Sequence, residues 1–267
     1  MSGVGRPPSR ARGIRLAEIV AADLREQILT GGFDGDSLPK QDDLMDMFGV
    51  SGPSLREALR ILEAEGLVTV RRGKVGGAEI HRPSGASAAY MTAVTLQGER
   101  TTLDDLSDAL RMLEPPCAAL CAERPDREAL GESLEANLTA TEEAIGDGVE
   151  FTSLARGFHG IVVDHVLNPA IRLVVRSLVS VWTAQQETWA DQASLEGRYP
   201  DTDSQVAVFR THRRIAREIL AGEGAAAERT ARKHLEASHA VVLADLGGGR
   251  LIDAVSARAV EEFRRQT

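Results

Sequence analysis

Between residues 48 and 68 the chain reads FGVSGPSLREALRILEAEGLV, and this stretch constrains the fold more than any other. Leu55, Ala58, Leu59 and Leu62 recur at i, i+3, i+4 and i+7, the spacing that puts apolar side chains on one stripe of a helix. Ser51 is the expected N-cap, its hydroxyl accepting an orphan backbone N–H, and Pro53 falls in the first turn, where a missing donor costs little. Gly66 is the expected stop. Arg56 and Arg60 project from the flank and back of the stripe.

Around this helix the order of elements is informative. Residues 1–13, rich in Gly, Pro, Ser and Arg, lack periodicity and are expected to form a disordered basic arm. A helix is expected over 14–31, and a short one from Lys40 and Gln41 to about Phe48. Two β-rich runs, 67–71 and about 75–81, meet at Arg72, Gly73 and Lys74. Three helices and a hairpin in under 85 residues is the order of a winged helix-turn-helix, assigned to 14–82. Residues 83–88, with Pro83 and Gly85, form the expected linker. Only helices follow, over 86–97, 102–122 (kinked at Pro115-Pro116), 126–146, 149–166, 169–190, 203–222 and 224–246. The second domain is placed at 89–246, and 247–267 is expected to hold a tail helix from about 250 to 265 after Gly247-Gly248-Gly249. The fold class is mostly α, with a winged helix-turn-helix and a small β-hairpin wing at the N-terminal end and an all-α bundle of six to seven helices behind it.

Charge separates the two parts. The chain carries −9 overall; residues 1–85 hold 12 basic and 12 acidic residues, whereas 86–267 hold 19 and 28. One end thus suits a polyanion and the other does not, and a nonspecific DNA-coating protein is a poor fit. No apolar run approaches the length of a membrane span, so no membrane partner is expected and the cytoplasm is the expected location. Cys117 and Cys121, four residues apart in a helical pattern, read as small buried hydrophobes in a reducing compartment rather than a disulfide or metal pair.

In a helix-turn-helix the second helix enters the major groove with its first residues toward the bases, where Arg56 can fork onto a guanine or clamp a phosphate. The stretch LREALRILEAEGLVTVRRG, within residues 14–82, closely resembles the DNA-binding domain of the GntR family of bacterial transcription regulators. That resemblance implies DNA contacts from Ser51, Ser54 and Arg56, wing contacts from Arg72, Gly73 and Lys74, and phosphate contacts near Lys40 and Gln41. Two departures stand out: Gly52 and Asp42 occupy positions where many or some members carry a DNA-contacting Arg.

His159, His212 and His234 lie in three separate expected helices, and imidazoles from neighbouring helices can ligate a divalent ion; scattered histidines of a core or surface are the plainer reading. ALRMLEPPCAALCAE, FHGIVVDHVLNPAI and the interval between His212 and His234 resemble the FCD domain of the FadR-like branch over roughly residues 86–246. In metal-binding members the ligands are an Asp and three histidines; the latter would fall on His159, His212 and His234, and Ala155 stands where the Asp belongs. The resemblance implies Zn or Ni held weakly by three histidines, or a metal-free pocket in which they bind an effector directly, with Arg111 pairing with an effector carboxylate. Together these imply a regulator, not an enzyme: a homodimeric repressor on a short palindromic double-stranded DNA operator, released by a small organic-acid or acyl effector. The alternatives are a metal-dependent hydrolase built on the three histidines and a regulator with degenerate DNA binding.

Overall fold

The computed structural model describes residues 9–71 and 77–254, with side chains from residue 15 onward. The chain divides into two compact units, Met1–Ser84 and Gly85–Thr267.

In the first unit α1 (Ser9–Thr30), α2 (Gln41–Phe48) and α3 (Gly52–Ala64) precede an antiparallel hairpin of β1 (Val68–Val70) and β2 (Ala78–Ile80), paired Val68 to Ile80 and Val70 to Ala78. The apolar stripe of α3 is wholly buried, with Leu55, Ala58 and Leu62 at 0% exposure against Ala17, Leu24 and Ile28 of α1. Gly66 takes a left-handed conformation (φ 73°) that closes α3 and starts β1. Arg25 of α1 reaches Glu65 at the end of α3 through a two-pronged contact (2.8 and 2.5 Å), which ties the first helix to the third. Ser37 bridges to Glu79, so the segment before α2 covers the outer edge of β2.

The second unit is helical among its described residues: α4 (Gly85–Gly98), α5 (Leu103–Leu113), α6 (Pro115–Ala122), α7 (Glu128–Glu143), α8 (Gly148–Asp164), α9 (Pro169–Leu195), α10 (Thr202–Leu220) and α11 (Gly224–Leu246). Side chains set several starts. Thr102 and Asp105 form a reciprocal capping box, and Asp147, Asn168 and Asp201 accept backbone N–H groups of the next turn. Phe158, Trp182, Leu110 and Leu134 fill the core between these helices.

Pro115-Pro116 does more than kink the helix; it divides the expected 102–122 helix into α5 and α6. Pro115 has no N–H for the carbonyl of Arg111, and Arg232 of α11 donates to that carbonyl instead (2.8 Å). Glu114 occupies the junction and is buried.

Three other expectations differ from the structure. Residues 9–13, assigned to a disordered arm, extend α1; Arg10, Ala11 and Arg12 favour a helix, and the single Gly13 does not end it. The helix expected over 86–97 is α4 (Gly85–Gly98), so of the residues assigned to the linker 85–88 are helical. Residues 250–254, assigned to the tail helix, instead run back over the domain, with Leu251 bridged to Thr102 and Gln185 bonded to Asp253; residues 255–267 lie outside the described ones.

At Gly148, the first residue of α8, an added Cβ would lie 2.7 Å from two ring atoms of Tyr199 and 2.8 Å from Ser194 Oγ. Gly148→Ala, which helix propensity alone would favour by at most about 1 kcal/mol, is expected to destabilise the protein by about 1–3 kcal/mol through overpacking. Chemical denaturation checks the sign; a rise in the midpoint overturns this packing account.

Candidate functional site

The first unit presents the start of α3. Ser51 is the N-cap by backbone conformation, but its hydroxyl makes no cap hydrogen bond and lies 3.3 Å from Ser54 Oγ, contrary to the expected role. The amides of Gly52 and Ser54 come before Leu55, whose N–H makes the first bond back to Ser51, and are therefore open to an anion. Arg56 is exposed and folds back over Gly52, where an added Cβ would lie 3.2 Å from its Nη1. Lys40, the N-cap of α2, and Gln41 are also exposed, as are the acidic Asp42, Asp43 and Asp46. Arg60, at the back, is exposed and pairs with Glu57. Arg72, Gly73 and Lys74 lie outside the described residues; Arg71, just before them, pairs with Glu79 across the hairpin (2.5 Å).

In the second unit His159 of α8, His212 of α10 and His234 of α11 converge on one another through Nε2. The three separations are 3.2, 3.2 and 2.9 Å, and all three rings are buried. Packing sets their orientation: His212 stacks on Phe158 with ring centroids 4.3 Å apart, and His159 Nδ1 contacts Glu114 Oε1 at the α5–α6 junction. Desolvation holds His159 and His212 well below the usual histidine range and His234 at about 4, so all three are neutral at pH 7. Burial raises Glu114 to about 7, so its carboxyl group meets an uncharged imidazole and the contact is not a full ion pair. Three lone-pair-bearing nitrogens at this spacing suit one divalent ion, with each nitrogen about 2.0–2.1 Å from it. The donor set therefore fits a metal.

The cluster opens on a cavity of about 90 Å³. Ala155 lines it one turn before His159, so no carboxylate is supplied from that position. Arg156 also lines it, is 5% exposed, and bonds to Gln186 Oε1 (3.1 Å) with no carboxylate in ion-pair range among the described residues. Desolvation lowers its pKa, and Glu114 is the counter-charge that opposes this.

Two functional residues were not assigned a site role from sequence. Arg156 is the one charged residue in FTSLARGFHGIVV, a run otherwise fit for a buried helix, and that isolation was the available signal. Glu114, four residues after Leu110, continues the buried face of α5 with a helical backbone, and that spacing was the available signal. Arg111, expected to face an effector, does not line this cavity. The inward face of α5 is taken by Leu103, Leu106, Ser107 and Leu110, and Arg111 at its flank pairs with Asp108 (3.2 Å). Cys117 and Cys121 are buried, and burial pushes their thiols up to about 12 and about 11, so both are unreactive.

A buried, unpaired cation destabilises a fold. Arg156→Met should therefore stabilise the ligand-free protein by about 1–4 kcal/mol. Thermal denaturation reads this directly, and a lower melting temperature would show that Arg156 holds the fold together.

Comparison with known proteins agrees with both units. Residues 16–75 match the model of the bacterial regulatory proteins of the gntR family, and residues 105–237 match the FCD domain. The HTH-type transcriptional regulator Mce2R of Mycobacterium tuberculosis is 30% identical over 240 residues, 86% of this chain and 92% of its own. The transcriptional repressor NanR of Escherichia coli is 29% identical over 200 residues, 70% of this chain and 71% of its own. Among solved structures, Streptococcus agalactiae GntR covers 84% of this chain and 99% of its own, with a TM-score of 0.63 at 20% identity, a likeness of fold. Among the described residues no helix is long and apolar enough to cross a membrane. With its relatives regulators rather than enzymes, the chain belongs to the GntR family of DNA-binding, effector-responsive transcription regulators, its helix-turn-helix domain followed by an FCD domain.

Proposed function

We propose that this regulator is a cytoplasmic repressor that binds a short inverted repeat as a homodimer and leaves it when a small organic acid enters the FCD cavity. The single observation that carries the effector class is Arg156: a buried guanidinium without a carboxylate partner, facing a cavity that no acidic residue lines. A ligand carboxylate supplies the missing charge through a charge-assisted hydrogen bond. His159, His212 and His234 form the rest of the effector site, and Arg111 has no part in it.

On the DNA side, Arg56 reads or clamps the major groove, and Ser51, Ser54 and the open amides before Leu55 receive a phosphate. Lys40 and Gln41 lie beside the next phosphate, and Arg72, Gly73 and Lys74 are assigned to DNA contact by the family resemblance alone. Two-fold symmetry in the dimer matches a palindromic site. Effector binding weakens DNA affinity by its coupling free energy if it favours the state with mis-spaced recognition helices.

A divalent ion, Zn²⁺ or Ni²⁺, fits the three Nε2 atoms and would supply positive charge that orients the effector carboxylate. Glu114 fixes the His159 ring for that role by accepting from Nδ1.

Selection of bound sequences from a random DNA pool tests the regulator reading; enrichment of a palindrome supports it, and recovery without symmetry refutes the dimeric operator. On the recovered site, Arg56→Ala should weaken binding by about 1–3 kcal/mol at matched salt. Gly52→Arg should tighten it, because the Arg56 guanidinium can swing aside. Unchanged affinity for both would remove the start of α3 from the contact surface.

Zn²⁺ should raise the melting temperature of the wild type, and raise it further in Ala155→Asp, whose new carboxylate projects one turn from His159. Glu114→Gln should weaken metal affinity about 10- to 100-fold, and His212→Ala should abolish the shift. Equal melting with and without Zn²⁺ in all four proteins would rule out the metal site.

A further inference from the structure

The cavity does not end at the histidines. A groove of about 520 Å³ between α10 and α11 opens onto it, and the two share Ser204, Val208, His234, Ser238 and Val241 as walls. Arg229 and Lys233, one turn apart on α11, lie along this groove; both are exposed and neither has an ion-pair partner among the described residues. Arg214 of α10 also lines it, but its charge is matched by Glu218 at 2.8 Å. No Asp or Glu lines either the cavity or the groove, although acidic residues outnumber basic ones 28 to 19 over residues 86–267.

From this arrangement we infer that the effector is a dianion. One anionic group reaches Arg156 and the histidines, and a second, carboxylate or phosphate, docks on Arg229 and Lys233 at the mouth. This rests on the effector reading above and adds a second subsite to it. Two like charges at i and i+4 repel along a helix, and an anion between them relieves that repulsion. A cleft lined by one sign of charge also focuses the field and draws in an anion of opposite sign, even on a unit of net negative charge. Inner and outer cations are carried on different helices, so a single carboxylate at Arg156 leaves the outer pair unmatched.

Calorimetric titration of the full-length protein tests this with matched pairs: succinate against butyrate, glutarate against pentanoate, adipate against hexanoate, and 3-phosphoglycerate against glycerate. At least one dianion should bind tenfold or more tightly than its matched monoanion, and added NaCl should shrink that ratio. In the double variant Arg229→Gln, Lys233→Gln the ratio should fall to near one. Preference among the dicarboxylates assigns a carboxylate to the mouth, and preference confined to 3-phosphoglycerate assigns a phosphate. Monoanions that bind while no pair reaches tenfold overturn the second subsite and leave the effector site standing. So does a tenfold preference that survives in the double variant. Binding by no member of any pair overturns the organic-acid reading along with it.

Discussion

The contact between Glu114 and His159 buries a carboxyl group and an imidazole in the middle of an otherwise apolar bundle, and the polar interior is arranged around it. Left as a full ion pair, the two would each incur a desolvation cost of several kcal/mol. Burial itself moves both groups toward neutrality, raising Glu114 to about 7 and lowering His159. The geometry descends from the buried stripe of α5, which Glu114 continues four residues after Leu110 with a helical backbone. Pro115 and Pro116 remove backbone donors just beyond it, and the helix divides there. Arg232 satisfies the Arg111 carbonyl freed by the break, so the division leaves that acceptor paired. His159 is then held from behind, and His212 and His234 converge on its other nitrogen.

Against that neutral cluster, Arg156 stands out as a buried charge with no carboxylate in ion-pair range among the described residues. Its guanidinium shares Gln186 Oε1 with Trp182, so it is oriented but not neutralised. A fold under selection for stability alone has little reason to keep such a group, since an apolar side chain of similar volume is commonly neutral or better. Beside a cavity, in the proposed effector reading, it would give the site a preference for anions. A regulator needs only a modest version of this effect, because a coupling of about 1–3 kcal/mol between effector and DNA changes affinity 5- to 150-fold.

The sequence made the backbone of this architecture legible where local chemistry decides it. The leucine stripe of α3, Gly66 at its end, and Asp147, Asn168 and Asp201 at helix starts all act within a turn or two of themselves. The three histidines could be brought together only through the resemblance, since their spacing in sequence carries no distance. What stayed hidden depends on packing between distant segments. Ser51 has the right residue type for a cap, yet its hydroxyl turns to Ser54, and only coordinates show that choice. Residues 250–254 carry helix-compatible letters but pair with Thr102 and Gln185, contacts to segments well over 60 residues away in the chain. Arg111 and Arg156 illustrate the same limit: each is an Arg on an amphipathic helix, and the full burial of Arg156 and the half-burial of Arg111 follow from which neighbours cover the face.

Ala155 is the residue at which these strands meet. The family resemblance implies a carboxylate at this position in metal-binding members, which would contribute both a ligand and a negative charge. Here the position carries a methyl group, and the next residue is a buried cation. Relative to that arrangement the site is one negative charge short, and Arg156 adds a positive one, so the imbalance is larger whether or not an ion sits among the histidines. Nothing that lines the cavity restores the balance, since its polar walls are amides, hydroxyls and imidazoles. A divalent ion alone would deepen the imbalance, whereas an anionic effector relieves it and, by linkage, would strengthen the hold on the ion. In the proposed effector reading, a methyl group at position 155 leaves the electrostatic requirement to the ligand, and effector and metal binding would be mutually supportive at this site.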